Sequence, residues 1–138
     1  MSTPRSVLFV CLHGAAKSVL AAADFTRLAA ERGLDLTAEA AGTEPDPAIA
    51  PGVVAALGAE GVELGQRRPR QVTATDTARA DRVVTFGCEL GAAAPAETPV
   101  ERWDDVPAVS EDLPLARAAI RRHLDRLLDE CAATGARR

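Results

Sequence analysis

Ser6-Val7-Leu8-Phe9-Val10-Cys11-Leu12-His13-Gly14-Ala15-Ala16-Lys17-Ser18 is the stretch on which the fold turns. Its first five residues form a short apolar run that reads as a buried strand, and a helical pattern begins at Lys17. A strand, a small-residue loop and a helix start, in that order, turn backbone N–H groups toward one point. The positive end of the helix dipole aims at the same place. Such a loop binds an oxyanion. A thiol at its mouth is favoured in its ionised, nucleophilic form by that field. Cys11 is therefore the expected attacking atom and Leu12, His13, Gly14, Ala15, Ala16, Lys17 and Ser18 the expected oxyanion cradle.

Most free cysteines are simply small buried hydrophobes, but few sit at the start of a glycine-containing loop that feeds a helix. Lys17 stands in a first helical turn, where the dipole disfavours a cation, and a bound oxyanion accounts for it. Ser18 can serve as an N-cap hydroxyl. His13 either deepens the positive field when protonated or, neutral, packs and holds a carbonyl; the second reading is preferred.

Working outward, strand and helix alternate. Lys17 to Arg32 reads as a helix with Ala22, Phe25, Leu28 and Ala29 on one face and Gly33 as its stop. Leu36 to Ala41 is a second strand. Pro51 to Glu60 is a helix begun by proline and closed by Gly61. Thr75 to Ala80 is a short helix, Arg82 to Phe86 a strand, and Pro99 to Trp103 a weaker one. Ser110 is expected to cap a final helix with Leu113, Ala116, Ile120, Leu124, Leu127 and Cys131 on one stripe. The pairs Arg121 with Asp125 and Arg126 with Glu130 support its outer face, where His123 is expected to be solvated. The tail from Ala132 to Arg138 is expected to fray. This order implies right-handed crossovers and a parallel sheet covered on both sides, with ligands at the carboxyl ends of the strands.

With 138 residues, the whole chain, 1–138, is expected to be one domain. The sequence holds 3 Phe, 1 Trp and no Tyr, and a net charge of −4. Neither stacking rings nor an overall basic field is present for nucleic acid. Arg67-Arg68-Pro69-Arg70 is the local exception, read as a solvated loop in preference to a site for an anionic partner. The 3 cysteines make neither a disulfide framework nor a metal-ligand spacing. No signal peptide or membrane span is read, so a reducing cytoplasm is the expected setting.

Val10-Cys11-Leu12-His13-Gly14-Ala15-Ala16-Lys17-Ser18 resembles the signature of low-molecular-weight protein tyrosine phosphatases and their arsenate-reductase relatives: Cys, five residues, Arg, Ser. Ala41-Gly42-Thr43-Glu44-Pro45 resembles the segment after the family's second strand in its arsenate-reductase form. Asp81 to Cys88 resembles the third strand and its cysteine-bearing exit, and Arg102-Trp103-Asp104-Asp105 the segment carrying the general acid. The resemblance implies an α/β three-layer sandwich with a four-stranded parallel sheet flanked by helices.

Three departures matter. The family's loop arginine is Lys17 here, a point charge in place of a planar fork. A charged hydrogen bond is worth roughly 1.5–3 kcal/mol, so one lost arm would slow the reaction on the order of tenfold to a hundredfold. The usual asparagine is Gly14, an exchange read as mild because both residues tolerate a left-handed backbone. The acidic segment reads Asp104-Asp105-Val106-Pro107; Asp105 is favoured as the acid and Asp104 is the alternative.

By this resemblance Cys11, Lys17, Ser18 and Asp105 are the catalytic set, with Ser18 also donating to the thiolate. Cys88 is the candidate resolving thiol. The relay's second cysteine is replaced at Ala94-Pro95, so an external thiol reductant or redox partner is expected to finish any arsenate cycle. No tightly bound cofactor and no metal are expected. The substrate is a small oxyanion or phosphate ester, with no nucleic acid or membrane partner. Arsenate reduction and phosphate-monoester hydrolysis stay open together, beside a weakly catalytic oxyanion-binding module and a Cys–Lys enzyme of other biosynthetic chemistry.

Overall fold

The computed structural model describes residues 4–133. Its elements are β1 (Ser6–Cys11), α1 (Lys17–Glu31), β2 (Thr37–Gly42), α2 (Pro51–Ala59), α3 (Ala74–Arg79), β3 (Arg82–Thr85), a 3-10 turn at Gly91–Ala93, β4 (Val100–Arg102) and α4 (Leu113–Ala133). All four strands are parallel, in the order β2-β1-β3-β4. The alternation of strand and helix dictates this, because a parallel neighbour needs a crossover and the crossovers supply the helical layers. The register sets Val10 beside Ala41 and Thr85, and Cys11 beside Gly42.

Side chains alternate across β1, and the two faces build two clusters. Phe9, Val84, Phe86 and Trp103 pack with Phe25 of α1 and Ile120, Leu124, Leu127 and Cys131 of α4. Leu8, Val10, Val83, Val72, Cys88 and Ala93 form the second cluster. The 3 Phe and the Trp of the sequence all gather in the first. Phe9 lies 5.8 Å from both Phe25 and Trp103, and Phe86 meets Trp103 edge-on at 5.6 Å. The scarce aromatic area is thus concentrated directly behind the end of β1.

A buried ionic clamp ties the helices of that face. Asp24 of α1, 1% exposed, receives both Nε and Nη2 of Arg117 of α4 at 2.9 and 2.7 Å. The same guanidinium donates to both oxygens of Glu60 at 2.6 and 2.7 Å. Burial works to raise the Asp24 pKa, but the hydrogen bonds and charge of Arg117, aided by Arg121, bring it below the ordinary value.

Several local expectations change. Asp112, not Ser110, caps α4, its carboxylate accepting from the Leu115 amide at 2.9 Å. Arg126 pairs with Glu130 as expected, whereas Arg121 turns to Asp24 and Asp125 to Arg32. The helix continues through Ala133, and the rest of the expected frayed tail lies outside the described residues. Arg70 is not simply solvated: it holds Glu39 at 2.6 Å and Asp76 at 2.8 Å. Among the described residues no helix is long and apolar enough to cross a membrane.

Candidate active site

Cys11 is the last residue of β1 and is 6% exposed. The loop that follows is held by its carbonyls. Thr43 N–H donates to the Cys11 carbonyl at 3.3 Å, Glu44 N–H to Leu12 at 2.7 Å, Asp46 N–H to His13 at 3.0 Å and Ala50 N–H to Ala15 at 3.0 Å. The segment after β2 thus takes up the acceptors. Among the described residues, none of the N–H groups of residues 12 to 19 donates to a backbone carbonyl. With the carbonyls of Cys11, Leu12, His13 and Ala15 taken up on one side, amides without backbone partners are the kind of group an anion receptor uses.

Two glycines make this geometry attainable. Gly14 has φ +60°, and a Cβ built on it would fall 2.8 Å from the Gly42 nitrogen. A Cβ on Gly42 would lie 2.5 Å from the Gly14 nitrogen. The expected mildness of Asn-to-Gly at position 14 is therefore incorrect for this chain. The loop lies backbone on backbone against the end of β2, and any side chain there would force the two apart.

Helix α1 starts at Lys17 with Ala16 as N-cap, no side-chain cap and no acidic residue in its first turn. Its positive end therefore carries no neutralising side chain of its own. Ser18 is not the cap: fully buried, its Oγ lies 3.1 Å from Cys11 Sγ. A hydroxyl there donates to the sulfur once the thiol ionises. His13 takes the carbonyl-holding role, with Nδ1 3.2 Å from the Glu44 carbonyl and 3.4 Å from the Asp46 carboxylate. Leu12 is 42% exposed and stands on the rim.

The two candidate acids diverge. Asp104 accepts from the Gly87 amide at 3.1 Å and from Arg102 Nε at 3.0 Å. Because Phe86 N–H donates to the Val10 carbonyl, this carboxylate stands at the carboxyl edge of the sheet, beside the end of β1. Asp105 turns away to His123 Nε2 at 2.8 Å. That hydrogen bond, against a smaller effect of burial, holds the Asp105 carboxyl below its ordinary pKa. His123, expected to be solvated, instead stacks on Trp103 with centroids 4.6 Å apart.

Cys88 packs with Leu8 and Val10 in the cluster across the sheet from the one containing Cys11. Its Sγ lies 3.6 Å from the Val10 carbonyl, and burial pushes its pKa up. Cys131 is fully enclosed, its pKa pushed up by burial to about 11. Among the described residues no group of three or more His, Cys, Asp or Glu side chains is placed to hold a metal ion.

Sequence reading also missed Gln71. Its amide donates to the Thr43 carbonyl at 3.1 Å, while Arg70 and Val72 bracket Gly42 with backbone bonds of 2.9 Å each. No local pattern marks it, because its role exists only once the chain has returned to the β2 edge.

The model of the low molecular weight phosphotyrosine protein phosphatase family matches residues 6–105. The chain belongs to this family. A Halobacterium salinarum protein, assigned by inference as an arsenate reductase, is 34% identical over 82 residues, 58% of this chain. The chain spans 58% of that curated relative's length. An Archaeoglobus fulgidus arsenate reductase structure is 29% identical, with TM-score 0.67 over 89% of this chain and 96% of its own. A Corynebacterium glutamicum thioredoxin-dependent arsenate reductase has the same fold at 24% identity, with TM-score 0.71, covering 91% of this chain and 62% of that one. Four parallel strands flanked by helices are thus this phosphatase family's architecture, as the motif resemblance implied.

Proposed function

We propose that the chain is a cysteine-nucleophile enzyme acting on a tetrahedral oxyanion, with arsenate-reductase-like chemistry favoured over phosphatase-like chemistry. One observation carries this reading: the uncommitted amides of residues 12 to 19 follow directly on a cysteine whose sulfur meets a buried hydroxyl at 3.1 Å. The Cys11 thiolate attacks phosphorus or arsenic in line, while the loop amides and Lys17 carry the charge of the equatorial oxygens.

With a phosphate ester, the S–P bond forms as the P–O bond to the leaving group breaks. A carboxyl of the 104–105 pair supplies the proton to that oxygen, and water then hydrolyses the thiophosphate. With arsenate, the S–As bond forms and water leaves. A second thiol attacks the Cys11 sulfur, arsenic(V) departs as arsenite, and the two sulfurs end as a disulfide. The favoured second thiol is external. Cys88 belongs to the opposite cluster and would have to cross the sheet edge, and the Corynebacterium neighbour is described as thioredoxin-dependent.

A second reading, an oxyanion-binding module of feeble turnover, draws on the prior engagement of both Asp104 and Asp105 and on Lys17. Paired assays decide. Wild type is tested on p-nitrophenyl phosphate and on arsenate with a thiol donor, beside Cys11→Ser and with phosphate binding followed by calorimetry. Loss of turnover with retained binding in Cys11→Ser supports the enzyme. An unaffected rate in that variant refutes the mechanism, and binding without wild-type turnover favours the module.

A further inference from the structure

Beyond β4 the chain runs without regular structure from Trp103 to Asp112, and both candidate acids lie at its start. His123 of α4 faces back onto this segment with two surfaces at once. The face of its ring lies nearly parallel to the Trp103 indole, 4.6 Å away at 14°. Its edge reaches Asp105, Nε2 to Oδ1 at 2.8 Å.

Trp103 is itself immobilised. It is 1% exposed, its amide donates to the Thr85 carbonyl at 2.8 Å and its indole N–H donates to Glu101 at 2.7 Å. Asp104, between the two residues that His123 holds, sends its carboxylate the other way, to the Gly87 amide and Arg102. With both neighbours fixed, the backbone of Asp104 has little freedom to swing its carboxylate off the sheet edge.

We propose that His123 is a positioning residue: it clamps Trp103 and Asp105 so that Asp104 is the carboxyl presented to the leaving oxygen. The proposal rests on the Cys11 nucleophile reading and deepens it, making Asp104 the proton carrier and Asp105 the anchor. Asp105 is committed to the imidazole at 2.8 Å, whereas Asp104 stands at the carboxyl edge of the sheet, beside the end of β1. Arg122, on the same helix as His123, adds a further positive charge toward Asp105.

The test uses the full chain carrying His123→Phe, which keeps a stacking ring without the donor. kcat/KM is measured on aryl phosphates whose phenols differ in acidity. When proton delivery is mispositioned, the substrate with the poorest leaving group should lose about tenfold or more, while the most activated ester stays within about twofold. A parallel fall across the series, or no change, overturns the clamp, because a merely structural defect lowers every substrate alike. If wild type hydrolyses none of the esters, the phosphatase arm of the functional reading fails separately. The clamp is then judged by amide exchange at Gly87. Faster exchange in His123→Phe, with α4 and the sheet unchanged, supports it, and unaltered exchange overturns it.

Discussion

Gly14 and Gly42 meet backbone to backbone, 28 positions apart in the chain, so closely that a Cβ on Gly42 would lie 2.5 Å from the Gly14 nitrogen. The turn of the cradle and the end of β2 therefore form one unit, and the contact can be probed without touching any charged group.

Gly42→Ala should weaken phosphate binding by on the order of tenfold and lower stability by roughly 1–3 kcal/mol, the usual result of overpacking. Gly42 is not in the left-handed region, so the effect is steric and not conformational. Calorimetry with inorganic phosphate and thermal melting read the two parts. Binding equal to wild type would show that the loop can move away from β2 at no cost.

Lys17→Arg should raise phosphoryl transfer on the order of tenfold to a hundredfold, by restoring the second arm of a bidentate contact. Phosphate affinity should change much less, because the loop amides are unaltered. Steady-state rates on p-nitrophenyl phosphate check this, and no gain in kcat would show that lysine is not the limiting feature.

Asp24→Ala removes the acceptor from a buried guanidinium and should cost about 3–5 kcal/mol, lowering the melting temperature by roughly 10 °C or more. Asp129→Ala, which removes an ion pair to Arg32 from a 75% exposed side chain, should change stability by less than about 1 kcal/mol. Equal losses in calorimetric melts would mean that the Asp24–Arg117–Glu60 cluster is not a clamp.

Acid should weaken the fold in a defined direction. Asp24 and Glu101 lie below their ordinary pKa values. Burial opposes the shift in both; Arg117 reverses it for Asp24, and Trp103 and Arg126 do so for Glu101. As pH falls, the unfolded chain takes up protons first. The stabilisation is therefore complete above the ordinary carboxylate range, near pH 4, and disappears as pH drops through the lower folded values. Urea midpoints at pH 6 and pH 3.5 should show the decline, and Glu101→Gln should flatten it.

Three thiols share one chain but not one environment. Cys88 and Cys131 both have pKa values raised by burial, while Cys11 Sγ lies 3.1 Å from the Ser18 hydroxyl at the head of the loop. Iodoacetamide at pH 7 should modify Cys11 first, and inorganic phosphate should protect it. Cys11 and Cys88 are equally covered at 6% exposure, so mass spectrometry that found Cys88 labelled first would contradict the assigned nucleophile.

The strand-loop-helix unit was legible because its signals are local: an apolar run, a glycine, then a helical period. The parallel sheet followed from alternation alone. What escaped was non-local. Local backbone conformation makes Gly14 interchangeable with asparagine, and only the Gly42 backbone pressed against it forbids the exchange. His123 lies on a polar helix face that becomes covered only when the chain leaving β4 crosses it. Ser18 fits the chemistry of a cap, yet it stands one residue inside the helix, where its hydroxyl reaches the sulfur. For Asp104 and Asp105, adjacency in sequence hid the fact that the turn after β4 sends one carboxylate to Gly87 and Arg102 and the other to His123.

Because residues 43–50 grip the loop carbonyls, the proposed receptor is braced before any guest arrives. Little ordering entropy is then lost on capture, and ions of one shape enter on nearly equal terms. Selectivity between such look-alike tetrahedra is left to kinetics downstream. On the proposed mechanism, whether water or a sulfhydryl reaches the sulfur-bound adduct first decides which chemistry results.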